Sequence, residues 1–140
     1  YSPRFAEVKN LNTSSFWNER LSDKTSLEKQ DGMTKERVTT AFKFLPRDAK
    51  KVLDIGAGNG FLEELLGSDK RIKIFGNDIS SVAVKNLRNK FKGQFRKESI
   101  YAMKYSEGTF DVIFALEVLE HVPPSKIFSL LKKIREFLFL

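Results

Sequence analysis

Three glycines recur at alternate positions, the first of them two residues after an acid, in the segment Lys51-Val52-Leu53-Asp54-Ile55-Gly56-Ala57-Gly58-Asn59-Gly60. Glycine allows tight backbone turns and lets a ligand approach the main chain closely, so a strand that runs through such a loop into a helix suits ligand binding. An ordinary strand-to-helix turn is the alternative. The dinucleotide fingerprint needs its third glycine three positions after the second, where Phe61 stands, which disfavours a nicotinamide dehydrogenase. A second acidic residue, Asp78, closes the next apolar segment. A carboxylate there either accepts hydrogen bonds from both hydroxyls of a ribose or caps the helix that follows from Ser80.

A third group lies in Glu117-Val118-Leu119-Glu120-His121, which holds the only histidine of the chain. As a general base, His121 would take the proton of a hydroxyl substrate, a task imidazole performs near neutral pH. Alternatively, Glu117, Glu120 and His121 supply oxygen and nitrogen ligands to a divalent ion, Mg²⁺, Mn²⁺ or Zn²⁺. The plain structural alternative is that these side chains shape a loop and cap the last helix.

These groups need elements to hold them. Residues 1–33 read as a polar, irregular cap with Phe16, Trp17 and Leu21 as anchors and the turn signal Asp31-Gly32 at its end. From Thr34, Val38, Ala41, Phe42 and Leu45 recur at helical spacing, until Pro46 ends the pattern. Strands are expected over 51–55, 72–79, 95–100 and 110–116, the last apolar on both faces like a central parallel strand. A helix carries Phe61 to Leu66, another begins at Ser80 with Val84, Leu87 and Phe91 inward, and Pro123-Pro124-Ser125 opens a last one. Its inner face would hold Ile127, Leu130, Leu131, Ile134, Phe137 and Leu138. This alternation predicts an α/β fold with a doubly wound parallel sheet of about four strands, whose ligands bind at the carboxyl ends of the strands.

At this point the sequence resembles the class I S-adenosylmethionine-dependent methyltransferases, which have a Rossmann-like fold. VLDIGAGNGFLEELL is similar to their first motif, FGNDIS to their acidic second-strand motif, and TFDVIFALEVLEHVPP to their fourth-strand motif. The resemblance covers Lys51 to about Leu138 and implies S-adenosyl-L-methionine as cofactor. It implies that Asp54, Gly56, Ala57, Gly58 and Gly60 hold the methionine part, Asp78 the ribose hydroxyls and Ile79 one face of adenine. Glu98, Ser99 and Ile100 would meet the adenine edge, and Ala115 and Leu116 would place backbone groups near the methionine amino group. A carboxylate and carbonyl-rich strand ends suit a cofactor carrying an ammonium and a sulfonium. Methyl transfer is a direct displacement at carbon, for which positioning supplies much of the acceleration. The EVLEHV string is similar to that of ubiquinone-biosynthesis O-methyltransferases and of small-RNA 2′-O-methyltransferases, in both of which Glu-x-x-Glu-His is linked to a metal. The RNA enzymes need a further downstream histidine, which this chain lacks. In the ubiquinone group an arginine ahead of the first strand often supports the cofactor, and Arg37 is the nearest candidate.

The 140 residues, 41% hydrophobic and 31% charged, fit one soluble domain: a cap over 1–33 and a cofactor-binding domain over 34–140. Without cysteine, disulfides, zinc-thiolate sites and thiol nucleophiles are excluded, which fits a cytoplasmic chain. No apolar run reaches the roughly 20 residues that cross a bilayer, and YSPRFAEVKN lacks the layout of a signal peptide. The net charge of +7 raises the possibility of a nucleic-acid partner, but the basic stretch Lys85 to Lys97 reads mainly as a solvated face. The partner expected first is a small-molecule methyl acceptor, methylated on oxygen; an RNA acceptor and a non-catalytic cofactor-binding subunit are the alternatives. A chain that starts without Met and stops on Phe137-Leu138-Phe139-Leu140 is expected to be a C-terminally truncated fragment, with one edge of its fourth strand unpartnered.

Overall fold

The computed structural model describes residues 12–140, so the first eleven residues of the expected cap lie outside the described residues. Helix α1, Ser14–Ser22, starts at Thr13, whose hydroxyl accepts the Phe16 N–H at 3.3 Å. Helix α2 spans Lys24–Phe42 and so runs straight through Asp31-Gly32, where a turn was expected. The boundary drawn between residues 33 and 34 therefore falls inside a helix. The cause is tertiary: Val38 is buried, and Ala41, Phe42 and Leu45 pack on the same core, giving the C-terminal part of α2 an apolar anchor. Helix propensity alone does not exclude one glycine, which costs about 1 kcal/mol relative to alanine in a helix. A Cβ built at Gly32 meets nothing within 4 Å. Gly32→Ala is accordingly expected to raise unfolding free energy by about 0.5–1 kcal/mol, read from thermal melts; destabilisation would argue against a helical residue 32.

The sheet contains β1, Lys51–Ile55, β2, Lys73–Asp78, β3, Gln94–Lys97, and β4, Val112–Phe114. All pairings are parallel and the order is β3-β2-β1-β4. Helix α3, Phe61–Leu66, follows β1; α4, Ser81–Lys90, follows β2; α5, Pro124–Glu136, follows β4. The parallel α/β architecture expected from the sequence is thus present.

Strand side chains alternate between faces, and the two cores follow that period. Val52, Ile74, Phe95 and Phe114 turn to one face, where Leu62 and Leu66 of α3, Val84 and Leu87 of α4 and Val38 of α2 cover them. Leu53 and Ile55 turn to the other, against Met103, Phe110 and Phe137, with Phe75, Ile113 and Ile134 alongside. Val52 and Leu53 are each 0% exposed, and burying such a side chain is worth about 1.5–3 kcal/mol. The same parity puts Asp54 on the face of Val52, beneath α3.

Polar contacts fix the register at the sheet's ends. The Asp111 carboxylate accepts the backbone N–H groups of Lys50 and Lys51, both at 2.8 Å, tying the start of β1 to β4. Arg88, from the basic stretch, donates through Nε and Nη2 to the Phe95 carbonyl at 3.0 and 2.6 Å, which joins α4 to β3.

Three boundaries differ from expectation. The third strand ends at Lys97, and Glu98 to Ile100 leave the sheet as a loop. Regular β4 is limited to Val112–Phe114. The last helix ends at Glu136, so Leu138 is not on its inner face; Phe137 caps it and turns the chain back. Phe137 O then accepts from Phe110 N at 2.9 Å and Phe139 N donates to Phe110 O at 2.8 Å, forming a parallel bridge between Phe110 and Leu138. The outer side of the β4 segment, expected to be unpartnered, therefore begins a further pairing. Leu131, expected inward, is 43% exposed. No helix among the described residues is long and apolar enough to cross a membrane.

Candidate cofactor site

With β1 between β2 and β4, the chain winds from β1 outward through β2 and β3 and then returns to the opposite side of β1 for β4. The crevice at such a reversal opens at the carboxyl ends of the strands, where α/β sheets bind ligands. Here it falls between the 56–60 loop after β1 and the 115–121 loop after β4.

The glycine loop is built by its conformation. Gly56, Gly58 and Gly60 all have positive φ, 74°, 52° and 80°, which side chains of L-residues rarely adopt. At Gly56 there is a second reason: a Cβ would lie 2.4 Å from Val118 Cγ2, so only glycine lets the loop after β4 close on the loop after β1. A Cβ on Gly58 would meet only the Gly56 carbonyl at 3.8 Å, so open space lies over that peptide. Gly56→Ala is expected to cost about 2–4 kcal/mol of stability from clash and strained φ together. Adding Val118→Ala should return part of it, because it removes the clash and leaves the strain. No recovery in denaturant unfolding of the double variant would mean that the two loops do not meet.

Asp78 and Asn77 hold this loop against β2. The Asp78 carboxylate accepts from Gly58 N at 3.0 Å through one oxygen and from Ser80 N at 2.8 Å through the other. Gly56 N donates to the Asn77 carbonyl at 2.9 Å, and Ala57 N does so at 3.0 Å. Asn77 Oδ1 lies 3.2 Å from Gly56 N as well, and the side chain's Nδ2 is buried without a hydrogen-bond partner. Asp78 therefore organises both the entry to α4, as the helix-cap alternative expects, and the glycine loop. Burial raises its pKa, partly offset by the N–H groups of Ser80, Gly58 and Ile79. Ser80 caps α4 as expected, its hydroxyl accepting from Ala83 N at 3.1 Å.

Asp54 is buried, 5% exposed, and Glu63 of α3 is 0% exposed. Burial first, then the negative charge of Glu63 and an interaction with its side chain, and finally Asp78, push the Asp54 carboxyl well above the usual carboxylate range. Burial pushes Glu63 up to about 7. Sequence reasoning passed over Glu63 because Phe61-Leu62-Glu63-Glu64-Leu65-Leu66 has two adjacent acids, and helical spacing alone did not say which one points inward.

At the carboxyl end of β2, Ile79 is half-buried and Glu98 N donates to the Asp78 carbonyl at 3.1 Å, so Glu98 sits beside the acidic strand end. Glu98 Oε1 is buried without a hydrogen-bond partner. The Ser99 hydroxyl accepts from Tyr101 N at 3.2 Å, while Ile100 packs on the core of the second face. Beyond β4, Ala115 packs on that second core and Leu116 on the first.

The third group is arranged differently from the metal expectation. Glu117 is the one non-glycine residue of positive φ among the described residues, at 56°. Its carboxylate pairs with Arg37 of α2, both side chains being substantially exposed. Glu120 and His121 are exposed on a 3-10 turn, Leu119–His121, and the His121 ring meets the Trp17 ring edge-on at 5.4 Å. Among the described residues no three His, Asp or Glu groups are placed to hold a metal. The physical reason is that Glu117 turns to a guanidinium and His121 to an indole, so the three side chains do not converge. Glu117, Glu120 and His121 therefore do not form the expected ligand set.

Helix α1 reaches this crevice through Asn18, a contact without a sequence signal. Asn18 Oδ1 accepts from Ser80 Oγ at 2.7 Å and lies 3.3 Å from both Ser81 Oγ and Val82 N. The anchors read as Phe16 and Trp17 are half-buried, and Trp17 Nε1 donates to Asn12 Oδ1 at 3.0 Å. The two N-terminal helices thus meet the start of α4 and the loop after β4.

Residues 52–139, more than half of the chain, match the family model described as "Methyltransferase domain". The chain belongs to this methyltransferase family. The domain is 36% identical over 84 residues to the ubiquinone biosynthesis O-methyltransferase of Thiobacillus denitrificans, covering 56% of this chain and 36% of that protein. It is 28% identical over 82 residues to the 2-methyl-6-phytyl-1,4-hydroquinone methyltransferase of Synechocystis sp., covering 56% of this chain and 26% of the relative. Its fold matches a SAM-dependent methyltransferase structure from Archaeoglobus fulgidus, with TM-score 0.67, 24% identity, and coverage of 83% of this chain and 54% of that one. The chain spans about a quarter to about a third of the length of these curated relatives, 26% and 36%.

Proposed function

We propose that this methyltransferase domain binds S-adenosyl-L-methionine in the crevice between the glycine loop and the 115–121 loop, and that it serves methyl transfer to an oxygen of a small-molecule acceptor. The observation that carries the reading is the convergence of Asp54, Asp78 and the positive-φ glycines at the sheet's reversal point. Oxygen as the acceptor atom rests on the similarity to the ubiquinone biosynthesis O-methyltransferase.

The residues present fit this cofactor. The open space over Gly58 admits a ligand to the main chain, and buried acids meet an ammonium and a sulfonium better than they would meet a diphosphate. Asp54 with Gly56, Ala57, Gly58 and Gly60 would hold the methionine part, and the Ala115 and Leu116 backbone the amino group beside it. Asp78 would take the ribose hydroxyls, Ile79 an adenine face, and Glu98, Ser99 and Ile100 the adenine edge. When bound, the cofactor supplies an electrophilic methyl group on a sulfonium.

The remaining work falls to the chain's own residues. His121 would accept the proton of the acceptor hydroxyl as it becomes nucleophilic, and its exposure leaves the imidazole free to do so. Trp17 orients that ring, and α1 and α2 form the cap under which the acceptor is held away from water.

Isothermal titration with S-adenosyl-L-methionine tests the cofactor reading, and saturable binding is the expected result; its absence sinks the reading. In an active preparation, His121→Ala should lower kcat about 100-fold or more while cofactor affinity stays within twofold. An unchanged kcat would remove His121 as the base.

A further inference from the structure

The first turn of α3 contains a buried acid that the cofactor reading leaves without a role. Leu62 and Leu66 pack into the first core as an inward helical face should, and Glu64 remains exposed, but Glu63 is 0% exposed. Neither Glu63 carboxylate oxygen has a hydrogen-bond partner. Asp54, itself buried, lies near the carboxyl end of β1 on the sheet face that α3 covers through Leu62 and Leu66, just ahead of the glycine loop.

Among the described residues, no cation forms an ion pair with Asp54 or Glu63. From β2 the charged group is Asp78. From α2, Lys35 lies 5.1 Å over the Phe61 ring and Arg37 pairs with Glu117. From α4, Lys90 is 4.0 Å from Glu64 and 5.1 Å over the Phe91 ring. Two buried carboxylates without a counter-ion cannot both remain ionised; one proton held between them relieves the repulsion and gives an oxygen of Glu63 a hydrogen bond. An apolar residue at position 63 would avoid this problem altogether. What makes two acids useful there is a cationic ligand, whose arrival supplies the missing counter-charge.

We propose that Asp54 and Glu63 share one proton while the crevice is free of ligand and release it to solvent when the ammonium of the cofactor arrives, so that Glu63 is a positioning residue that couples cofactor binding to pH. This rests on the S-adenosyl-L-methionine reading of the site. The balance is simple: one carboxylic O–H loses its proton to buffer, the ammonium keeps its own, and the pair becomes dianionic beside a cation. Affinity should then rise nearly tenfold per pH unit below neutrality and level off above it. Glu63 belongs to the cofactor-binding machinery under this proposal, at one remove from the reacting atoms.

The test is calorimetric titration of the whole chain with S-adenosyl-L-methionine at pH 6.0 and 7.5, each in two buffers of different ionisation enthalpy. Close to one proton released per cofactor at pH 6.0, falling towards none at pH 7.5, is expected. Methylthioadenosine, which keeps the nucleoside and lacks the amino-acid ammonium, should bind without releasing a proton. In Glu63→Gln, which preserves shape, can donate to Asp54 and holds the pair at a single negative charge, the release should vanish and affinity should no longer rise with pH, so that at pH 7.5 it falls about tenfold or more below that of the unmodified chain. Equal release in Glu63→Gln, no release in the unmodified chain, or release with methylthioadenosine would each overturn the proposal. The methylthioadenosine arm needs no variant, so the proposal stays falsifiable even where Glu63→Gln does not fold. Absence of S-adenosyl-L-methionine binding at either pH would overturn the cofactor reading and this proposal with it, a result distinct from binding without proton release.

Discussion

Asp78→Ala should weaken binding of S-adenosyl-L-methionine by about 100-fold or more, the largest effect on cofactor affinity expected from any single change at this site. The carboxylate has two tasks in the cofactor reading. Towards the ligand it would accept hydrogen bonds from ribose hydroxyls, and bonds to a charged acceptor contribute about 1.5–3 kcal/mol each. Towards the protein it accepts from Gly58 N at 3.0 Å and Ser80 N at 2.8 Å, fixing the loop and the start of α4 together. Alanine leaves both N–H groups without that acceptor and loosens the peptide that the cofactor has to approach. A loss of roughly 3 kcal/mol in binding corresponds to somewhat more than 100-fold in Kd. Asp78→Asn separates the two tasks, since it keeps one acceptor oxygen and loses the charge; its affinity should fall between the two. Calorimetric titration measures all three proteins. Affinity of Asp78→Ala within threefold of the unmodified chain would place the ribose elsewhere.

Glu63→Gln should change how stability depends on pH. Burial raises the Glu63 pKa from its ordinary value of 4.5 to about 7 in the folded chain, so the folded state holds a proton that the unfolded state has lost over that interval. Stability therefore falls as pH rises where the native state binds more protons. The contribution is fully present below about pH 4.5 and is lost as pH rises through about 7. At 1.36 kcal/mol per pKa unit, the upper limit is about 3 kcal/mol between pH 4.5 and 8. Asp54, also raised by burial, adds a change in the same direction. Glutamine cannot ionise, so Glu63→Gln should match the unmodified chain near pH 5 and exceed it by about 2–3 kcal/mol at pH 8. Urea unfolding at the two pH values gives the comparison. A variant less stable at pH 8 than the unmodified chain would show that the ionised carboxylate is stabilised by a partner.

Much of this domain was legible in the sequence because its elements carry local signals. Lys51–Ile55 is apolar and ends on glycines, so its strand character and its exit loop follow from residue type alone. Ser80 read as a cap because a side-chain oxygen in front of an apolar helical stripe has a donor waiting for it, and Ala83 N is that donor. Asp54 and Asp78 were legible as candidate binding residues for a similar reason, since an acid at the end of an apolar strand is held where two loops begin.

What the sequence by itself determined is the set of parallel strands, their helical connections and the acids and glycines at their carboxyl ends, because period, turn chemistry and strand composition are properties of neighbouring residues. Tertiary structure alone decided which of two adjacent glutamates is buried, since Glu63 and Glu64 differ only in the face each presents to β1. It also decided that α2 continues through Asp31-Gly32, because packing of Val38 and its neighbours outweighs a weak local breaker. The Glu117 and His121 side chains, read as metal ligands, were settled by partners distant in the chain, Arg37 and Trp17. Contacts of that separation leave no mark on local spacing; they exist only once the sheet order brings the loops after β1 and β4 together under the N-terminal helices.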